Sequence, residues 1–516
     1  MPAQLIDLGE MVESEKADRL LAVRTEMDSL IAWLTGPSLN TPLHRVEAEL
    51  LPKLMNLGVL LLSVWFAHRV PTQVPRTVRS GRGWYLFDGI GAAPVRTRFG
   101  VSYLRRPEYL LVDGRGPTKL APYDRQVGLA AGRMSLGIHL LVAALVARMP
   151  FQGSVDVMKL FGGYTPSTRS MHGIVDKLGP VAATHMEQLP PPDDDGSILV
   201  IEVDHKGIPH IGPEEHRQRR KKQSRRPRGL SKRQRSHNRR SRKRRERKKK
   251  GDKSKNARMA AVGVIYTLEP TPDGGVSRPL NRRVFGTFKG TRAMFEMLKK
   301  EAIKRGYGEK QTIFLADGEL QLWTLHKEFF PKAIGCLDWY HLSEYLWKAA
   351  SSAAGSATKA GQAKRKLWVK ARQEELRDDR PDLVVAALRE LRATIGKSGP
   401  GTKNRRKNVD SAITYIKNHV DYMPYRDLLA QDLIIGTGNI EGVAKFVGSR
   451  LDGSGMRWSK ERAEHVLALR CVLASNEWSG FEEAAARDHE SLQDWHIERV
   501  TPARAMTPHS AIRKAA

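Results

Sequence analysis

Between Arg217 and Arg258 the chain carries 24 lysines and arginines against two acids, Glu246 and Asp252, and its apolar side chains are limited to residues such as Leu230 and Ala257. A stretch of that kind cannot bury enough apolar surface to offset the entropy of ordering it, so any domain that contains it must fold around it. It holds +22 of the +31 formal charge and leaves a mildly basic remainder of +9. Charge concentrated in this way attracts a polyanion, and the phosphates of nucleic acid are the expected partner. A localisation signal is the weaker reading of the same residues.

The segments on either side of this basic arm read as strands. "SILVIEVDHKGIPH" (Ser197–His210) precedes it, and "MAAVGVIYTL" and "RRVFGTF" follow. A helix, "TRAMFEMLKKEAIKRG", then leads to two further strands, "QTIFLAD" and "AIGCLD". The order β-β-β-α-β-α-β predicts a mixed sheet flanked by helices, a ribonuclease-H-like core, in which the first and fourth strands are neighbours. Asp204 is expected to end the first strand, with Lys206, Gly207 and Pro209 making the exit turn, and Asp317 to end the fourth. Asp-Gly after a strand is also ordinary turn chemistry, but two carboxylates at one sheet edge repel unless a divalent cation lies between them. Glu441 opens a helix after a Thr-Gly-Asn turn, where a carboxylate can point back to that edge. Glu202, on the same strand face as Asp204 by its period of two, and Glu319 are the competing acids.

The set "VDHKG", "LADGE", "CLDWYHLSEYLW", "GNIEG" and "GMRWSKERAEHVLALR" resembles the bacterial insertion-sequence transposases of the ISKra type, which are DDE enzymes on a ribonuclease-H-like fold. The resemblance covers roughly residues 100 to 480. It implies Asp204, Asp317 and Glu441 as a triad holding two Mg²⁺ or Mn²⁺ ions, and DNA cleavage and strand transfer at terminal inverted repeats. Double-stranded DNA, both transposon ends and target, is the implied partner of a homodimer or higher oligomer. Asp338-Trp339-Tyr340-His341 fits a signature that stands between the second Asp and the Glu in related enzymes, which adds His341 to the catalytic candidates. The chain lacks the cysteine-rich knuckle common in relatives, and its basic insertion between strands one and two is unusually long. A ribonuclease-H-like nuclease without strand transfer would keep the triad, and a domesticated DNA-binding protein would keep only the charge and the DNA-reading front.

That front is expected in "QGSVDVMKLFGGYTPSTRSMHGIVDKLG". A helix from Ser154 to Phe161, a Gly162-Gly163-Tyr164 turn and a second helix capped by Ser167 form a helix-turn-helix layout presenting Thr168, Arg169 and His172 to a major groove. Arg219, Arg220, Arg239, Arg240, Arg244 and Arg245 of the arm, with Arg457, are the expected phosphate contacts.

The resulting division is a helical region (1–75), a small β unit (76–125), the helix-turn-helix domain (126–190), the first part of the core (191–342), a helical insertion (343–430), the last part of the core with the Glu (431–480), and a tail (481–516). The proline-rich "LPPPDDDGS" marks the boundary before the core. The fold class is therefore α/β with an α-helical insertion. Cys336 and Cys471 cannot make a disulfide framework. The acidic N-terminal stretch is unlike a signal peptide, and the apolar run Leu54 to Ala67 falls short of the ~20 residues that cross a bilayer. It is expected to be a buried helix of a cytoplasmic, nucleoid-associated protein with no membrane partner.

Overall fold

The computed structural model describes residues 4–129, 133–212, 217, 257–353, 358–453 and 455–491. Arg219, Arg220, Arg239, Arg240, Arg244 and Arg245 lie outside the described residues. Two units divide the chain, Met1–Val181 with Ser479–Ala516, and Ala182–Trp478.

The first unit opens with β1 (Leu5–Asp7) and two long helices, α1 (Gly9–Thr35) and α2 (Leu43–Arg69). The pair is antiparallel, tied by Asn56 donating to Glu26 and by Lys53 over the Trp33 ring. Contrary to expectation, the apolar run of α2 is buried only at Gly58, Ser63, Phe66 and Ala67, while Leu54 and Leu61 are about half exposed. Among the described residues α2 is the one helix long and apolar enough to cross a membrane by length and composition. Strand β2 (Gln73–Pro75) pairs with β1, and β3 (Thr77–Ser80), β4 (Gly83–Arg96), β5 (Val101–Gly114) and β6 (Lys119–Leu120) form a four-stranded antiparallel sheet in sequence order. Phe66, Val70, Val95 and Leu104 share a core between helix and sheet.

After α3 (Tyr123–Gln126) and the almost wholly apolar α4 (Leu136–Arg148) come α5 (Phe151–Leu160) and α6 (Thr168–Gln188). The Ser167 hydroxyl accepts from the Ser170 amide at the start of α6, as a cap should. Gly163 sits at φ 75°, and a Cβ there would lie 2.1 Å from the Arg98 carbonyl oxygen, so only glycine fits this turn.

The second unit is built on a five-stranded mixed sheet. Its strands are β7 (Ile198–Pro209), β8 (Ala257–Leu268), β9 (Leu280–Thr287), β10 (Gln311–Ala316) and β11 (Ile334–Leu337), in the spatial order β11-β10-β7-β8-β9. The pairs β7/β8 and β8/β9 are antiparallel, whereas β10 runs parallel to both β7 and β11. Helices α7 (Thr291–Lys304) and α8 (Leu320–Phe329) make the crossovers, and α9 (Trp339–Ala350) follows β11. The helices α10 (Lys359–Arg377), α11 (Pro381–Ala393), α12 (Thr402–Asn418) and α13 (Tyr425–Leu429) stand between α9 and the return to the sheet, which is made by α14 (Gly438–Leu451) and α15 (Lys460–Ala474).

Three boundaries differ from the sequence reading. β7 does not stop at Asp204: it continues to Pro209, which pairs with Ala257, because neither Gly207 nor Pro209 lacks a place on this stretch of the ladder. Ala257 and Arg258 consequently belong to β8 rather than to the basic arm. Residues 481–491, expected as the start of a tail, belong to α16 (Trp478–Ser491), whose Phe481 and Ala485 are buried and whose His489 bonds the Gly128 carbonyl within the first unit.

The linker before β7 is anchored within the second unit. Asp195 accepts from Arg305 and Thr267, and the Pro190 carbonyl accepts from Arg283. Although burial opposes its charge, the hydrogen bonds from Arg305 and Thr267 hold the Asp195 carboxyl at about 2.

Candidate active site

The parallel register sets the site. Pairing between β7 and β10 ends at Val203 and Ala316, and pairing between β10 and β11 ends at Ala316 and Leu337. The next residue on each chain is an aspartate: Asp204, Asp317 and Asp338. Three adjacent parallel strands thus deliver three carboxylates to one row at the edge where the sheet opens.

Their surroundings differ. Asp204 and Asp317 are half-buried, whereas Asp338 is fully buried. Burial pushes the Asp204 carboxyl up, the His205 amide at 2.6 Å opposes that, and the charge of Asp317 adds to the rise. Asp317 accepts from the Glu319 amide in a tight turn. Asp338 is committed elsewhere: one oxygen accepts from the Thr437 amide and the other from the amide and Nδ1 of His341. Burial works against the Asp338 charge, but the His341 ring and the Thr437 and His341 amides overcome it and keep this carboxyl below its ordinary range. His341 is raised to about 9, first by its hydrogen bond to Asp338 and then, against the cost of burial, by the charges of Asp338 and Asp317. It therefore stands as a cation beside Asp317 at neutral pH.

Glu441 lies in the first turn of α14, and two contacts dock that turn. Asp338 holds the Thr437 amide, and Glu202, fully buried on β7, accepts from the Ile440 amide at 2.8 Å. The other Glu202 oxygen accepts from Tyr266 of β8 at 2.6 Å, and Tyr266 in turn accepts from Asn439. Burial pushes the Glu202 carboxyl up to about 7. Further along, a Cβ on Gly448 would lie 2.4 Å from Lys206, so α14 follows β7 past Asp204 at close range. The Glu441 carboxylate itself is about half exposed and pairs with Lys445 at 2.7 Å. Glu319 pairs with His205 at 2.9 Å. Among the described residues no three acid, histidine or cysteine groups form a ready-made metal-ligand set.

The DNA-contact candidates are distributed unevenly. Arg169 is exposed and Thr168 half-buried, while His172 packs edge-on against Phe151 with ring centroids 4.3 Å apart, which stitches α6 to α5. Arg457 is exposed beside Trp458, whose backbone bonds the end of β7 at Pro209 and Ile211. The docking role of Glu202 and its partner Tyr266 was not readable from the sequence beyond the shared strand face. An acid in the otherwise apolar run "ILVIEV" is the one signal that could have found it. Compared with models of known protein families and with curated proteins, the chain matches none.

Proposed function

We propose that the second unit is a ribonuclease-H-like catalytic core and that the protein is a DDE transposase, cutting DNA at terminal inverted repeats and joining the freed strand to a target. The observation that carries this reading is the row of Asp204 and Asp317 on neighbouring parallel strands, with the helix bearing Glu441 docked along the same strand. The sheet order supports it too, since three antiparallel strands followed by two parallel ones is the arrangement that the core requires.

Asp204 and Asp317 suit a hard divalent cation such as Mg²⁺ or Mn²⁺: they are oxygen donors, they repel one another, and burial raises the Asp204 carboxyl, a cost that a cation would offset. These two would hold two such ions, with Glu441 joining them by exchanging Lys445 for the metal. When bound, the ions polarise the phosphodiester and make a water or a 3′-hydroxyl a stronger nucleophile. The chain's own groups do the rest. Asp338 keeps His341 charged and oriented, so that its exposed edge offers a donor to a phosphate oxygen near Asp317. Glu202 and Asp338 hold the start of α14 against the sheet. Arg169 and Thr168 on α6 are the groups left to read the transposon end, and the basic arm supplies sequence-independent phosphate contacts.

The test is cleavage and joining of a duplex carrying the inverted repeats that flank the gene, with Mg²⁺ or Mn²⁺ present. Asp204→Asn, Asp317→Asn and Glu441→Gln should each lose well over the ~100-fold that removing a supporting group costs, with binding retained. Full activity of Glu441→Gln would sink the assignment of the third acid. Cutting without joining would favour a nuclease that performs no strand transfer.

A further inference from the structure

A cleft of about 870 Å³ opens directly beside Asp317, between the turn after β10 and the helical segment α11–α12. Its lining carries Arg392, Lys397, Lys403, Arg406 and Lys407 against a single carboxylate, Asp410, which Arg392 already neutralises at 2.7 Å. Lys397, Lys403 and Lys407 are exposed and have no carboxylate partner among the described residues. Five cations around one opening cost self-repulsion, and a bound polyanion relieves it.

The lining is also aromatic, on α9 and on the helix α12 that carries Lys403 and Lys407. Tyr345 of α9 and Tyr415 of α12 stack with centroids 4.1 Å apart and planes 17° from parallel. Tyr415 also lies against Gly318, where a Cβ would come within 2.1 Å of its ring, so the wall is continuous with the Asp317 turn. At the floor, His419 is 2% exposed, its Nδ1 bonds the Tyr415 carbonyl at 2.7 Å, and its Nε2 is buried with no partner among the described residues. Cations set beside aromatic side chains are the combination that takes an unpaired nucleic-acid strand: the cations track the phosphates while the bases lie against the aromatic groups. A rigid duplex has no unstacked base to offer such a wall.

We propose that this cleft receives a single strand of DNA leaving the catalytic row, its phosphates on Lys397, Lys403 and Lys407 and its unpaired bases beside the stacked Tyr345–Tyr415 pair. The inference rests on the DNA-cleaving reading above and names the part of the substrate that the helical insertion holds. It makes α11 and α12 a strand guide for the product end rather than a spacer.

The experiment compares the full chain with the triple variant Lys397→Gln, Lys403→Gln, Lys407→Gln. All three positions are exposed, so the fold is expected to persist, and circular dichroism and the melting temperature check it. The probes are a blunt duplex and the same duplex with a 3′ single-stranded overhang, each titrated across a range of salt. Losing three single-strand phosphate contacts lowers the salt slope for the overhang duplex by about 2, at roughly 0.7 per phosphate, and leaves the blunt slope unchanged. Iodouracil placed in the overhang should crosslink to a peptide containing Tyr345 or Tyr415. An equal change on both duplexes, no change on either, or crosslinks confined to other segments would each overturn the proposal. Because binding and crosslinking need no catalysis, a protein that guides the overhang but never cuts DNA refutes the transposase reading alone. One that cuts normally with no overhang effect refutes the cleft alone.

Discussion

His341 shows how one residue couples structure to charge. Its folded-state value of about 9 lies above the ordinary histidine range near 6.5. A group raised in this way stabilises the fold fully below its unfolded value and loses that contribution as pH rises through the folded one. Stability is therefore expected to fall between about pH 6.5 and 9, and His341→Asn should flatten that part of the profile, as measured by urea unfolding at a series of pH values. His341→Ala should also slow cleavage by about 10- to 100-fold while DNA binding stays intact, the range found when a supporting group of a reactive site is removed. Unchanged cleavage would reduce the Asp338–His341 pair to a helix cap. The pair was visible in the sequence as a short Asp-x-x-His spacing after a strand. Asp204 and Asp317 were visible for a similar reason, since strand order alone decides which strand ends are neighbours. Glu202 was not, because a period of two assigns a face and says nothing about whether a helix covers it.

At the scale of elements, the decisive contact is the docking of α14 on β7 and β8. Glu202→Ala would leave the Ile440 amide and the Tyr266 hydroxyl buried without their acceptor, at about 1–3 kcal/mol for each unsatisfied group. Hydrogen exchange of the 437–441 amides should quicken in this variant more than exchange across β10, and cleavage should fall with it. If those amides keep their protection, α14 is held by its apolar face alone. Elements that are near-continuous apolar runs, such as β8, β10 and α4, were legible in advance. Those read wrongly have identifiable causes. Gly207 and Pro209 are turn residues by composition but sit within a strand, and α2 has enough leucine to seem buried although half of it faces outward. The helical insertion was legible as helix, but its approach to Gly318 depends on a tertiary contact that no local pattern carries.

Across the whole molecule, the segment 189–197 behaves as part of the second unit rather than as free linker. Asp195 is the reason, and its depressed carboxyl contributes stability above the unfolded value near 3.9 that is lost as pH falls through about 2. Asp195→Asn should cost about 2 kcal/mol at neutral pH, read from denaturant unfolding of the full chain. A loss well under 1 kcal/mol would mean that Arg305 and Lys310 find other partners. At the same scale the basic arm and α6 are expected to divide affinity from specificity. Deleting residues 218–256 should weaken binding to all DNA alike and flatten the salt slope, whereas Arg169→Ala should erode preference for the transposon end. The division fails if the deletion removes end preference and leaves random-sequence binding untouched.

The last rung of the β7–β8 ladder joins Pro209 to Ala257, so the chain leaves for the basic segment and returns from it at a single point on the five-stranded sheet. The contour of residues 213 to 256, out and back, bounds their distance from that point at about 75 Å. If those arginines hold DNA, as proposed, the duplex is expected to stay within about that distance of the sheet. On that reading the local concentration of DNA near Asp204 would be set by the length of the segment and hardly at all by the DNA concentration in the surroundings.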